Sequence, residues 1–213
     1  MAACNRIEIK KTKLLLAEGR DAKYFFIWAC EAYRITGIQV LDFGGVDNLH
    51  GYLQNLPKLP DYEIVKTIVI VRDAENAPND AIRSIKGSLK NASLPVPPKA
   101  FTFTKITKKL PRVAYMLFPG FVSSEEDTLL SGNLETLCMD MVKGDTVLQC
   151  ADQYMQCLKS IKQQVQHPHK TRLYTYLAGK NFAGLKIGEA AKAGAWNWEC
   201  SQIEPYKRII MSM

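Results

Sequence analysis

The sequence has no apolar run approaching about eighteen residues, so it offers no helix of the length needed to cross a bilayer. Its first residues, Met1-Ala2-Ala3-Cys4-Asn5-Arg6, lack the apolar core of a signal peptide, and a cytoplasmic location is the expectation. The six cysteines (Cys4, Cys30, Cys138, Cys150, Cys157 and Cys200) form no CxxC pair. The three histidines, His50, His167 and His169, complete no zinc spacing. Reduced, buried thiols are the simpler reading. There is no internal repeat, no low-complexity tract and no long flexible linker. What remains is ordinary globular material: 213 residues, 47% hydrophobic and 23% charged, enough for a core without disulfides. The net charge of +7 favours polyanionic partners such as nucleic acid or phosphates. Two basic clusters stand out, Lys10, Lys11 and Lys13 in one and Lys105, Lys108, Lys109 and Arg112 in the other; a solvated loop would give the same pattern.

The order of elements is legible from the apolar runs. Leu14-Leu15-Leu16-Ala17 does not alternate, as expected of a strand covered on both faces. Glu18 to Asp21 breaks it, and Asp21 reads as the N-cap of a helix from Ala22 to about Ile35. Ile38 to Phe43 reads as a second strand, closed by Gly44-Gly45, and Val46 to Leu56 as a helix ended by Pro57 and Pro60. Thr67 to Arg72 is the clearest strand, built on Ile68-Val69-Ile70-Val71. A helix follows from about Asn79. Ala100 to Thr104 alternates like an edge strand, and Arg112 to Phe118 is a further apolar strand. This alternation predicts an α/β fold with a mainly parallel sheet flanked by helices. Beyond it, Ser124-Glu125-Glu126-Asp127 reads as a helix start with acids in the first turn. Helical stretches follow at Asp145 to Val165, Lys170 to Leu177 and Ile187 to Ala193. The division expected is an α/β domain over 1–130 and a helical extension over 131–213 packed on it.

Acidic side chains fall where strands end. Glu18 follows the first strand, and Asp73 and Glu75 follow the third. Glu125, Glu126 and Asp127 come shortly after the last. Ligands of open parallel sheets bind outside the carboxyl ends of the strands. Asp73 and Glu75, one residue apart, can point to the same side and share a hard cation such as magnesium, which takes oxygen ligands. Any one of these acids alone could be a turn former or a helix cap. Glu126 and Asp127 could serve only as a helix start. The combination is what points to a site.

These motifs resemble the Toprim domain, the catalytic fold of topoisomerases, bacterial primases and nucleases of the overcoming-lysogenization-defect class. Leu15-Leu16-Ala17-Glu18-Gly19 is similar to the family's glutamate after the first strand. Asp73-Ala74-Glu75 is similar to its D-x-D, with glutamate in second place. Small stand-alone Toprim-like proteins are closer still. Their opening resembles Glu18-Gly19-Arg20-Asp21-Ala22-Lys23-Tyr24-Phe25-Phe26. Their later motifs resemble Gly44-Gly45, Pro119 with Glu126-Asp127-Thr128-Leu129-Leu130, and Gly188-Glu189-Ala190-Ala191 with Trp196. The resemblance implies a Rossmannoid Toprim-like fold, Glu18 as general acid or base, or as a metal ligand in the nuclease variants, and magnesium or manganese held by Asp73, Glu75, Glu126 and Asp127. It implies phosphodiester chemistry on nucleic acid. Arg20 and Lys23, the cations nearest Glu18, are the expected phosphate contacts. Two departures limit it: Glu75 is one methylene longer than aspartate, and no nucleophilic tyrosine motif is present.

Three functions compete. One is a metal-dependent nuclease or phosphotransfer enzyme, in defence or nucleic-acid processing. Another is a non-catalytic module that binds metal and nucleic acid. The third is a phosphatase of the haloacid-dehalogenase type, a family that places its acidic pair on the first strand for a covalent-aspartate mechanism, whereas here the pair lies on the third. A homodimer or a partner protein is left open.

Overall fold

A computed structural model describes residues 8–122 and 125–213, and for 122 and 125–127 the backbone alone. Four strands form a parallel sheet: β1 (Lys13–Ala17), β2 (Ile38–Asp42), β3 (Thr67–Asp73) and β4 (Arg112–Phe118), in the order β2-β1-β3-β4. The register sets Ala17 opposite both Asp42 and Val71, and Asp73 opposite Phe118. Leu14 to Ala17 and Ile68 to Val71 are fully buried, which explains why neither run alternates. Successive side chains nevertheless serve opposite faces. Leu15, Ala17, Val69, Val71, Ala114 and Met116 enter one core, and Leu14, Leu16, Ile68, Ile70, Val113 and Tyr115 the other.

Helix α1 (Gly19–Ala32) covers the first face, and α2 (Leu49–Asn55) and α3 (Pro78–Asn91) cover the second. From β1 the chain crosses outward to β2; from β3 it crosses the other way to β4. The crevice between β1 and β3 is therefore the switch point of the sheet, where such folds bind ligands.

Helix α1 begins at Gly19 rather than Ala22, so Glu18, not Asp21, is its N-cap residue. Gly19, at φ +81°, turns the chain directly out of β1, and the expected break is absorbed. At the other side of the sheet, residues 100–104 run along β4, where Phe101 N–H donates to Tyr115 O at 2.8 Å and Thr104 N–H to Val113 O at 2.8 Å. They cover that edge without forming a regular strand.

The helix expected at Ser124 is absent. Instead β5 (Phe121–Val122) and β6 (Glu125–Leu129) pair antiparallel, and Leu130 N–H donates back to Gly120 O at 2.9 Å. Gly120, at φ +109°, links β4 to β5, and pairing with Phe121-Val122 overrides the helical bias of the acids. The helix starts later, as α4 (Leu134–Met141), under an N-cap Asn133 whose side chain accepts from Thr136 N–H at 3.1 Å.

Helices α5 (Thr146–Ser160), α6 (Pro168–Gly179), α7 (Ile187–Lys192) and α8 (Glu204–Met211) complete the chain. They share one hydrophobic core with α1: Phe25 and Met116 belong to the same cluster as Leu137, Leu173, Trp196 and Tyr206. Gly188 lets α7 approach α1 closely, since a Cβ there would lie 2.3 Å from Tyr24 Cβ. Tyr206 OH, fully buried, donates to Leu117 O at 2.7 Å and ties α8 to β4.

Candidate functional site

Glu18 leaves β1 with its N–H still in the ladder, donating to Val71 O at 3.0 Å. It occupies the N-cap of α1, yet its side chain makes no capping bond. The carboxylate turns across the crevice instead. Its Oε2 accepts from Asp73 N–H at 3.3 Å and lies 3.5 Å from Arg72 Nε. The cap reading of Glu18 is thus set aside. Burial pushes its carboxyl above the usual range; Arg72 and the Asp73 N–H oppose that, and Glu75 adds to it.

Arg72 is 4% exposed, the last residue but one of β3, directly after the buried run Ile68 to Val71. Its Nη1 donates to Ser84 Oγ on α3 at 3.2 Å. The approach of Nε to Glu18 is an ion pair without hydrogen-bond alignment, so Nε has no hydrogen-bond partner among the described residues.

Asp73 ends β3. Its Oδ1 accepts from the N–H of Leu134, the first residue of α4, at 2.9 Å. Burial, then Glu18 and Glu135, push its carboxyl up to about 8; the Leu134 N–H pulls the other way, and Glu75 adds a smaller upward push. A carboxyl held this high is the signature of crowded acids in a poorly solvated site.

Glu75 is exposed and sits at φ +52°. It forms an antiparallel bridge with Gly132: Glu75 N–H donates to Gly132 O at 2.8 Å and Gly132 N–H to Glu75 O at 2.7 Å. Ser131 Oγ donates to Asn76 O at 3.2 Å. The loop after β3 is in this way fastened to the segment before α4, which delivers Glu135 to Asp73. The side chains of Glu126 and Asp127 lie outside the described residues. Arg20, exposed on the first turn of α1, lines a cavity of about 340 Å³ with Asp21, Tyr24, Trp28, Lys186 and Lys192. Lys23 is half-buried, with its ammonium 5.7 Å from the centre of the Tyr24 ring. His50, His167 and His169 are exposed and remote in sequence from these elements.

Two members of the site were not anticipated. Arg72 carried a signal: a cation inside an apolar strand must find a counter-charge. Glu135 carried one too, since Gly132-Asn133-Leu134-Glu135 is a capped helix start with an acid in the first turn.

The donors available here are carboxylate oxygens, the type a hard divalent cation takes. A cation would also relieve the crowding that raises Glu18 and Asp73. Among the described residues, however, no three acidic, histidine or cysteine side chains stand close enough to hold an ion jointly. The fit is one of chemistry and of the Glu18–Asp73 pair. The basic clusters lie elsewhere: Lys13 and Arg112 begin β1 and β4, at the amino edge of the sheet, opposite the acids.

The sequence matches the family model DUF3226, described as a protein of unknown function, over residues 12–212. The chain belongs to the DUF3226 family. Among solved structures, this DUF3226 chain is similar to the C-terminal region of the OLD protein of Xanthomonas campestris pv. campestris, phased with iodine, at a TM-score of 0.48 and 15% identity, over 95% of both chains. The same region phased with mercury gives 0.46 and 13%, again over 95% of both chains. At such identities no residue's role carries across. No curated protein matches the sequence.

Proposed function

We propose that the protein carries out Toprim-type, metal-dependent phosphodiester hydrolysis on nucleic acid at the crevice between β1 and β3. The observation that supports this is the meeting of Glu18 and Asp73 there, both carboxyls raised by burial and Asp73 raised further by Glu18. Glu18 keeps its proton to higher pH than a free glutamate, which suits a general acid. Asp73 and Glu75 are the residues that would hold magnesium or manganese, with Glu126 and Asp127 extending the set. A bound cation would supply charge neutralisation at the reacting phosphate. Arg20 would contact a flanking phosphate from the first turn of α1, with Lys23 beside it.

A second reading has its own support. Arg72 already stands against Glu18, so the site has an internal counter-charge and holds together without metal. A non-catalytic module that binds metal and nucleic acid would need no more. Labelled oligonucleotides incubated with magnesium or manganese separate the two. Cleavage by the wild type and its loss in Asp73→Asn is the expected result. Undiminished cleavage by Asp73→Asn with metal still bound would sink the mechanism. Salt-dependent binding with no turnover under either metal would establish the module.

A further inference from the structure

Between residues 81 and 124 the chain contains no aspartate or glutamate. That stretch holds eight of the 28 lysines and arginines and none of the 21 acids, so the rest of the chain is close to neutral. They are Arg83, Lys86, Lys90, Lys99, Lys105, Lys108, Lys109 and Arg112. A helix face that is merely solvated interleaves both signs, because pairs at i and i+4 are mildly favourable and mixed surfaces are the norm. A stretch of this length without any acid favours an anionic partner.

The fold turns the linear bias into a surface. Helix α3 buries Ala81, Ile85, Ser88 and Leu89, and sets Arg83, Lys86 and Lys90 along one side. As the crossover between parallel strands, α3 runs from the carboxyl edge of the sheet back to the amino edge. Arg83 to Lys90 covers about 10 Å at 1.5 Å per residue. Lys86 Nζ donates to Pro98 O at 2.8 Å and holds the following loop against the helix. At the amino edge the chain doubles back: Val113 N–H donates to Thr104 Oγ1 at 2.9 Å, and Leu110 N–H to Thr107 Oγ1 at 3.2 Å. The tip of this reversal exposes Lys105, Lys108 and Lys109. Lys66, also exposed, lies beside it, since Arg112 N–H donates to Lys66 O at 3.0 Å. Among the described residues, Glu63 near Lys66 in sequence and Asp80 at the start of α3 border it; the Asp80–Arg83 pair is exposed and worth little stability, so Arg83 can exchange Asp80 for a phosphate.

We infer that this basic face binds the phosphate backbone of nucleic acid, from the 105–111 tip along α3 toward the carboxyl edge. A duplex strand presents a phosphate every ~3.4 Å along its axis, so the α3 cations span about three phosphates. No base-reading group is needed, and recognition is independent of sequence. The inference rests on the nucleic-acid part of the reading above and not on cleavage.

Binding of labelled single-stranded and duplex oligonucleotides by fluorescence anisotropy, in chelator and across a salt series, tests it. Two variants address separate parts of the face: Arg83→Gln with Lys86→Gln and Lys90→Gln, and Lys105→Gln with Lys108→Gln and Lys109→Gln. Each is expected to weaken binding at least about tenfold and to flatten the log–log salt slope by about 2 to 3, at ~0.9 for each phosphate no longer neutralised. Lys159→Gln with Lys162→Gln and Lys170→Gln, on the α5–α6 side, should change neither. Equal losses in all three variants, no loss in the first two, or binding to anionic phospholipid vesicles with none to oligonucleotides would overturn the inference. A failure of cleavage alone would leave it standing, because the measurement excludes metal.

Discussion

The backbone N–H of Asp73 donates to Oε2 of Glu18 at 3.3 Å, a side-chain contact added to the backbone ladder where β1 and β3 end at the switch point of the sheet. The two carboxyls are thereby held in one poorly solvated space, where Glu18 raises the cost of ionising Asp73.

That cost has a sign in pH. The Asp73 carboxyl is raised from 3.8 to about 8 in the folded chain, so the folded state binds this proton more tightly than the unfolded one. The stability it confers is full below about pH 4 and is lost as pH rises through 8. Without metal, the melting temperature should fall between pH 5 and pH 8.5, an interval inside that window. Asp73→Asn, which keeps an acceptor for Leu134 N–H, should flatten the fall and be more stable than the wild type at the upper end. Magnesium or manganese should restore wild-type stability at high pH, by about 2.7 kcal/mol at a hundredfold excess over the dissociation constant, and leave Asp73→Asn unmoved. A flat pH profile in the wild type, read by thermal melts, would contradict the account.

Arg72 and Glu18 should behave as a pair. Removing one partner of a buried ion pair leaves a charge unpaired, so Arg72→Met should cost about 3–5 kcal/mol in urea unfolding at neutral pH. Glu18→Gln in the same chain should recover much of that. The coupling energy from the double-mutant cycle is the decisive number; additive losses would mean the 3.5 Å approach contributes nothing.

The contact between α1 and α7 gives a third expectation. Gly188→Ala places a Cβ against the Cβ of Tyr24, an atom fixed close to the α1 backbone, and overpacking of this kind costs ~1–3 kcal/mol. The variant should melt earlier while an Ala substitution at the open Gly51 perturbs far less. Equal melting temperatures for Gly188→Ala and the wild type would show that α7 is free to shift.

The parallel sheet and its order of helices were legible because Leu14 to Ala17 and Ile68 to Val71 are buried on both faces and cannot alternate. Glu18 and Asp73 were legible for the same reason: the ends of such runs mark the carboxyl edge. The hairpin at β5 and β6 was not, because its decision is tertiary. Ser124 to Asp127 has the composition of a helix start, and only the pairing of Glu125 with Val122 makes it a strand partner. Glu135 escaped for a related reason, since its place beside Asp73 depends on the Glu75–Gly132 bridge, a contact 57 positions apart in the chain. The starting point of α1 depended on a glycine conformation that composition does not reveal.

The run of residues 100–104 along β4 has a consequence for assembly. It occupies the hydrogen-bonding groups of Tyr115 and Val113 that a strand from another molecule would need. Growth of the sheet by edge-to-edge addition is closed on that side, which leaves β2 as the other edge of the four-stranded sheet.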